Sequence, residues 1–594
     1  MKRFTSIRRI VPLPVLGIIA IFTLFAIYLM NHTYWAADDF VYMQRFEGQS
    51  LNWDLITTPF DNHLVPMFVA SWWVIDRIAR GNYWVAETFM IFGFIVLQFS
   101  VWKLLQCFSL SKKHEYVALS LFASSSIILH NFIWWAAFLS SIVPLILIVN
   151  FFRLCILYTR EHSGRRLLMI TVLFFVASLF FEKMLMYSGV IFLYCVLIEN
   201  DSISVKKIFT TVQKHKWLWI SLISITMALA VAYVSSGALE SVKEKPGLFP
   251  MISYLKVVWF QFFVPQLFGL RYLNIDILNK PIFTIIFGIV VTVILVGAFL
   301  RIGKRSLHMA VFFGIVFVVN ESIVAYGRLF TNGYNLGGEI RYHLDSFFLL
   351  FVCGIAALAY FRSNRKSRSD SVFEKILMHR SAQSVGYVIL AVVILANLGS
   401  AYFDLEHSIG YDSLRYRKNI AHIRNHEVAR TRVNQRYMYF GAVPFNDLEN
   451  VGHAMNIDLK ITDISSEVIL PQGEVVTASR LKKIGYQSIV KAQQCSQNGS
   501  LSVSSVNPAP FEYVAFSFSG EQKNLAKIQV SNGGQTVNTL HFSPRDKNKT
   551  TYAFSTLYQF PDGNLSLTFI AKKNTNICLD EIYGIEYIDI DKEL

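Results

Sequence analysis

Long apolar runs, each near the ~20 residues that carry a helix across about 30 Å of hydrocarbon, alternate along this chain with short polar segments. They predict spans over residues 10–30, 86–107, 117–137, 141–159, 167–181, 184–199, 217–235, 281–300, 308–326, 343–361 and 384–403, roughly eleven in all. The first, behind Lys2, Arg3, Arg8 and Arg9, reads as a retained anchor: it is long, lacks a clear small-x-small cleavage site and precedes many more spans. Two intervening stretches, 31–85 and 236–280, are too long for simple turns. The first holds Trp72, Trp73, Tyr83 and Trp84, which suit helices in the interfacial layer. The second contains Tyr254 to Leu270, interrupted by Pro265, and reads as an interfacial or re-entrant piece. Beyond residue 403 the period changes. A charged segment, Tyr411 to Val428, reads as a helix. Short alternating runs follow (Val514–Phe518, Tyr552–Phe554, Leu565–Phe569), separated by turn signals at Asn532-Gly533-Gly534 and Asp562-Gly563. The expected fold class is a multi-pass α-helical membrane protein over 1–403 with a C-terminal β-sandwich-like domain over 404–594.

Composition agrees: 54% hydrophobic and 16% charged residues, with a mean hydropathy of +0.42, set the chain apart from ordinary soluble proteins. The net charge of +15 does not point to nucleic acid, because the basic residues cluster in short loops between apolar runs. Lys112-Lys113, Arg165-Arg166, Lys206-Lys207, Lys304-Arg305 and Arg362 to Arg368 all flank predicted spans. With the N-terminus cytoplasmic, these clusters fall on the inner face and the tail falls outside, as expected at a bacterial plasma membrane. Between His32 and Pro66 Arg45 is the only Lys or Arg, against Asp38, Asp39, Glu47, Asp54 and Asp61. No phosphate-loop, dinucleotide or zinc-type spacing occurs. Of the six cysteines, Cys107, Cys155, Cys195 and Cys353 fall in apolar spans, while Cys495 and Cys578 lie in the tail, where spacing alone leaves a disulfide open.

Four constellations project to the outer face. Asp38-Asp39 follows the first span. Adjacent carboxylates repel one another and are costly to desolvate; they suit a helix N-cap, or a general base whose neighbour tunes it or helps hold a divalent cation. Asp61-Asn62-His63 precedes Pro66 and reads either as a helix start or as a substrate-orienting pair. Glu182-Lys183 sits between two apolar runs, as a mutual ion pair or with Lys183 placed for a lipid phosphate. Finally, Arg328 and the run Glu339-Ile340-Arg341-Tyr342-His343 offer planar guanidinium groups suited to an anionic group, or interfacial anchors at a span end.

In this layout the chain resembles the GT-C superfamily of integral-membrane glycosyltransferases. Asp38-Asp39 fits that family's early acidic pair, Arg341-Tyr342 looks like its late-loop Arg-Tyr, and Lys183 resembles its donor-phosphate lysines. The resemblance implies a sugar moved from a polyprenyl-phosphate donor to a glycan, lipid or protein acceptor, commonly with inversion. Asp38 would be the base, and Asp39 its partner or a ligand to Mg or Mn. Asp61, His63, Glu182, Lys183, Arg328, Arg341, Tyr342 and His343 would surround the substrates. Two rivals stand beside it. A lipid-linked glycan transporter or flippase would favour repeats and midplane charges, and a polysaccharide polymerase or ligase would not need the acidic pair.

Overall fold

The computed structural model describes residues 11–36, 38–46, 49–59, 63–198, 204–238, 246–270, 281–302, 304–363 and 380–407, together with the strands that follow. The chain divides into two compact units, Met1–Trp35 with Gly48–Leu414, and Ala36–Glu47 with Arg415–Leu594.

The first unit is helical. Among its described residues nine helices are long and apolar enough to cross a membrane: Leu13–Met30, Tyr83–Leu105, Trp135–Arg160, Lys216–Ser235, Leu248–Leu267, Pro281–Leu300, Ser306–Leu329, Ile340–Arg362 and Ser384–Phe403. Several carry rows of exposed apolar side chains, such as Ile223, Met227 and Val231 on one helix and Val388, Val392 and Leu395 on another. Such rows are at home against lipid tails rather than water. The protein is an integral membrane protein.

The set differs from the expected spans in three places. Residues 117–137 break at Ser125 into helices Lys112–Ser124 and Ser126–Phe132. Residues 167–181 and 184–199 become helices of 17 and 12 residues joined by a 3-10 turn, Glu182–Leu185. Residues 248–267 form a full-length helix, because a π-turn at Val258–Phe263 takes up the geometry ahead of Pro265.

Two features lock the helices together. Trp35 is fully buried with its ring 5.8 Å from Trp72, 5.1 Å from Tyr83 and 6.4 Å from Trp135. Elsewhere, Asn397 Oδ1 accepts from the backbone N–H of Ser126 at 3.0 Å and from its hydroxyl at 2.9 Å. Its Nδ2 donates to Leu267 O at 3.1 Å, and Gln266 Nε2 donates to Ser126 Oγ at 2.7 Å. The free N–H left by the break at Ser125 is thereby satisfied by a side chain from a distant helix. Close approach at this knot requires Gly269: its φ is +69°, and a Cβ there would lie 2.4 Å from the Ala396 backbone. At the Lys214–Lys216 connection, His215 stacks on His162 with centroids 5.0 Å apart, and the rings share a 3.1 Å hydrogen bond. Burial, with Lys214 and His162 nearby, pushes His215 down to about 4.

The second unit contains helix Asp38–Phe46 and the strands. Thr551–Ser555, Tyr513–Ser519, Ile577–Asp589 and Leu481–Ser496 form one four-stranded antiparallel sheet, in that spatial order. Ser500–Val506, Leu565–Ala571, Leu525–Asn532 and Gln535–His541 form another. The three alternating runs read from sequence all lie in these strands. Strands Leu525–Asn532 and Gln535–His541 pair antiparallel with Asn532 opposite Gln535, on either side of the expected turn signal, whose Gly533 and Gly534 lie outside the described residues. The helix expected over 411–428 lies outside the described residues up to 427, and Val428 begins a two-residue strand.

Candidate functional site

The short turn Glu182–Leu185 carries two charged residues whose partners come from segments distant in sequence. It exists because Phe181 is extended and ends the preceding helix, so two adjacent residues point in different directions and serve different partners.

Glu182 faces His63. Glu182 Oε1 lies 2.5 Å from His63 Nδ1, while His63 Nε2 lies 3.3 Å from a terminal nitrogen of Arg328. Arginine can only donate, so Nε2 is the acceptor and the ring proton sits on Nδ1, donated to Glu182. The result is a relay, Arg328 to His63 to Glu182, across three segments remote in sequence. Phe181 flanks the imidazole at 5.6 Å between centroids. Glu182 Oε2 is buried and finds no hydrogen-bond partner among the described residues.

Glu182 also stands at the wall of an apolar groove of about 640 Å³, lined among others by Trp53, Leu64, Met67, Phe175, Leu229 and Tyr233. Its walls come from the Trp53–Thr57, Pro66–Ala79, Gly164–Phe180 and Lys216–Ser235 helices. An apolar trough bordered by a charged relay is shaped for an amphiphile, chain in the trough and polar end at the relay.

Lys183 faces the other way. Its Nζ lies 2.9 Å from Asp345 Oδ2 and donates to Tyr342 O at 3.3 Å; the two charged side chains are only 4% and 9% exposed. Tyr187 donates its hydroxyl to Asp345 Oδ1 at 2.9 Å. The same Tyr342 carbonyl receives Asn320 Nδ2 at 3.4 Å. Asn320 also donates to Glu321 Oε1 and to Ser346 Oγ, each at 2.9 Å. His343 is fully buried, and both of its ring nitrogens face acceptors: Gly337 O at 2.8 Å and Glu321 Oε1 at 3.4 Å. These contacts fasten the 3-10 turn Ile340–His343, which presents Arg341. The guanidinium of Arg341 lies over two rings, 4.9 Å from Trp134 and 5.2 Å from Tyr342, with Glu339 at 3.8 Å. Gly337 is needed beside this turn, since a Cβ there would meet Phe262 and Val258 at 2.7 and 2.9 Å.

The structure therefore forms two clusters on either side of the Glu182–Leu185 turn: His63, Glu182 and Arg328 in one, and Lys183, Tyr342 and His343 in the other, with Arg341 on the turn that the second cluster secures. Lys183 is occupied by Asp345 and by a backbone carbonyl, a position that serves the turn. Asp61 lies outside the described residues. Asp38 and Asp39 belong to the second unit. There, Asp39 is buried, its Oδ2 accepts from Ala36 N–H at 2.9 Å and its own N–H donates to Ala36 O at 2.9 Å, which closes the start of helix Asp38–Phe46. Asp38 is half-buried in the first turn of the same helix. Among the described residues no group of three or more His, Cys, Asp or Glu side chains is placed to hold a metal ion.

Sequence reading missed Asn320-Glu321, Asp345, Tyr187 and Trp134. Glu321 carried the available signal: an ionisable residue inside an apolar run asks for a partner in the bundle.

No protein-family model matches the chain, and no curated protein matches it. Among solved structures, the chain is similar to the Archaeoglobus fulgidus oligosaccharyltransferase crystallised with Zn and sulfate, at a TM-score of 0.35 and 12% identity, over 68% of this chain and 55% of that one. It is also similar to the arabinosyltransferase EmbB of Mycobacterium smegmatis, at a TM-score of 0.34 and 10% identity, over 99% of this chain and 67% of that one. The chain spans a little over half the length of the oligosaccharyltransferase.

Proposed function

We propose that this protein is a GT-C-type membrane glycosyltransferase that moves a sugar from a polyprenyl-phosphate donor to a glycan, lipid or protein acceptor outside the cytoplasm, at the plasma membrane of a bacterium. In this reading the N-terminus is cytoplasmic, residues 1–403 form the catalytic membrane domain, and residues 404–594 form an extracytoplasmic, mainly-β domain. The observation that carries it is the apolar groove bordered by Glu182, itself tied through His63 to Arg328. A hydrocarbon chain needs such a trough, and a phosphate needs guanidinium groups at its end.

Asp38 accepts the proton of the acceptor hydroxyl as that oxygen bonds to the anomeric carbon. The bond from the anomeric carbon to the phosphate oxygen breaks, with inversion, and the phosphate departs with the bonding pair. Arg328 and Arg341 neutralise the charge that develops on it. Lys183 and Glu321 hold the turn that carries Arg341, and Asp39 holds the start of the helix that carries Asp38. A phosphate is already a good leaving group, so alignment and charge stabilisation supply much of the acceleration.

The test is carrier-phosphate release by purified protein in lipid nanodiscs given polyprenyl-phosphate sugars of long and short chain. Ala232→Trp, which fills the groove, is expected to depress use of long-chain donors far more than of short-chain ones. No release from any such donor, or equal losses at both lengths in folded protein, refutes the reading.

A further inference from the structure

The chain has six cysteines. Cys107, Cys155, Cys195 and Cys353 are buried in the helical unit. The other two fall on strands of the second unit, at one register position: Cys578 on strand Ile577–Asp589 is the direct partner of Cys495 on strand Leu481–Ser496. The flanking pairs, Ile577 with Ser496 and Leu579 with Gln494, are in continuous register, and the nearest irregularity comes after Leu579. Directly opposed residues of an antiparallel pair have Cα atoms about 4.5–5.5 Å apart, inside the ~4.4–6.8 Å window of disulfides. A slip of two residues would open the gap to about 7–8 Å. Strand Leu481–Ser496 is the edge of its sheet, and residues 495 and 577–578 lie where the two strands end, a place where pairing frays without a staple.

We propose that Cys495 and Cys578 are joined as a disulfide. The bond rests on the reading that places the second unit outside the reducing cytosol. It forms by thiol–disulfide exchange with a disulfide-bearing oxidoreductase. One thiolate attacks the oxidant's disulfide to give a mixed disulfide. The second thiolate then displaces the oxidant's remaining sulfur. The protein loses two electrons and two protons, and the oxidant leaves as its dithiol.

Full-length protein from native membranes, denatured in N-ethylmaleimide without reductant and cut with trypsin, provides the test by mass spectrometry. Cleavage after Lys491, Lys523, Lys573 and Lys592 places the two cysteines in peptides 492–523 and 574–592. The expected product is one linked species, lighter by two hydrogens than the sum of the reduced peptides, that separates with dithiothreitol. A topology reporter fused after Leu594 is read in parallel. Both cysteines alkylated, with the reporter outside, overturns the disulfide while leaving the topology standing. If the reporter reads cytoplasm, the topology fails, and brief diamide oxidation of the membranes tests the placement alone. Rapid appearance of the 492–523 to 574–592 link then supports the juxtaposition, and its absence overturns it.

Discussion

Replacing Lys183 by Met tests whether this lysine belongs to the turn or to the substrate. At 2.9 Å and an effective dielectric constant near 20, its attraction to Asp345 is on the order of 6 kcal/mol. Desolvation costs several kcal/mol per ion, so the pair as a whole adds little net stability. Removing one member is different. Lys183→Met leaves the Asp345 carboxylate buried with the Tyr187 hydroxyl as its remaining donor in this group. Breaking a buried pair typically costs about 3–5 kcal/mol, and a hydrogen bond to a charged group returns about 1.5–3 kcal/mol. The expected loss is therefore near the lower bound, about 3 kcal/mol, or roughly a hundredfold in the folded-to-unfolded ratio. Lys183→Met/Asp345→Asn removes both charges and keeps an acceptor for Tyr187. It should recover to within about 1–2 kcal/mol of the parent. Equilibrium SDS titration of the purified protein in mixed micelles, followed by far-UV circular dichroism, measures both. A single variant that loses less than about 1 kcal/mol, or a double variant whose losses add, refutes the reasoning. If stability is unchanged but donor use collapses in both variants, Lys183 contacts the phosphate instead.

Other outcomes follow from the same geometry. Asp38→Asn should slow transfer by about 10²–10⁴-fold with donor binding largely intact, whereas Asp39→Asn should mainly loosen helix Asp38–Phe46; wild-type turnover in both variants removes the acidic pair from the chemistry. Arg341→Ala should weaken donor binding by titration calorimetry, and Arg341→Lys by less, because lysine keeps the charge without the planar fork over Trp134; unchanged affinity in folded Arg341→Ala protein takes this residue out of the site. His215 sits below its unfolded value near 6.5, so its contribution to stability is present above pH 6.5 and is lost as pH falls toward about 4. Thermal unfolding of His215→Gln should accordingly show a shallower acid-side decline than the parent, and parallel declines count against the effect.

Much of this was legible in the residues because the strongest physical signals are local. Apolar runs near 20 residues located most of the helices, and alternating runs such as Val514–Phe518 located strands. The span at 117–137 was misread because Ser124-Ser125-Ser126 is a weak breaker on its own; the helix divides there because Asn397 satisfies the freed N–H. Pro265 suggested an interruption, yet the π-turn ahead of it preserves a crossing helix. For the site, the charged residues could be collected by their unfavourable positions in apolar surroundings, but their partners could not. Nothing in Glu182-Lys183 says that the two look in opposite directions, because a 3-10 turn between two helices decides it. Trp134 was hidden among other aromatics, since a ring that receives a guanidinium has the same composition signal as one that packs.

The Asn397 knot also imposes a schedule on biosynthesis. Ser126 enters the membrane 271 residues before the side chain that will satisfy it. At about 5–20 residues per second, that interval is on the order of 15 to 50 seconds. During it, the Ser126 N–H and then the Leu267 carbonyl wait beside lipid or the insertion machinery with their Asn397 partner not yet made, a state that hydrocarbon penalises and membrane proteases can recognise. Insertion of the Arg380–His407 helix ends the wait, so the knot between these segments closes only when that helix arrives.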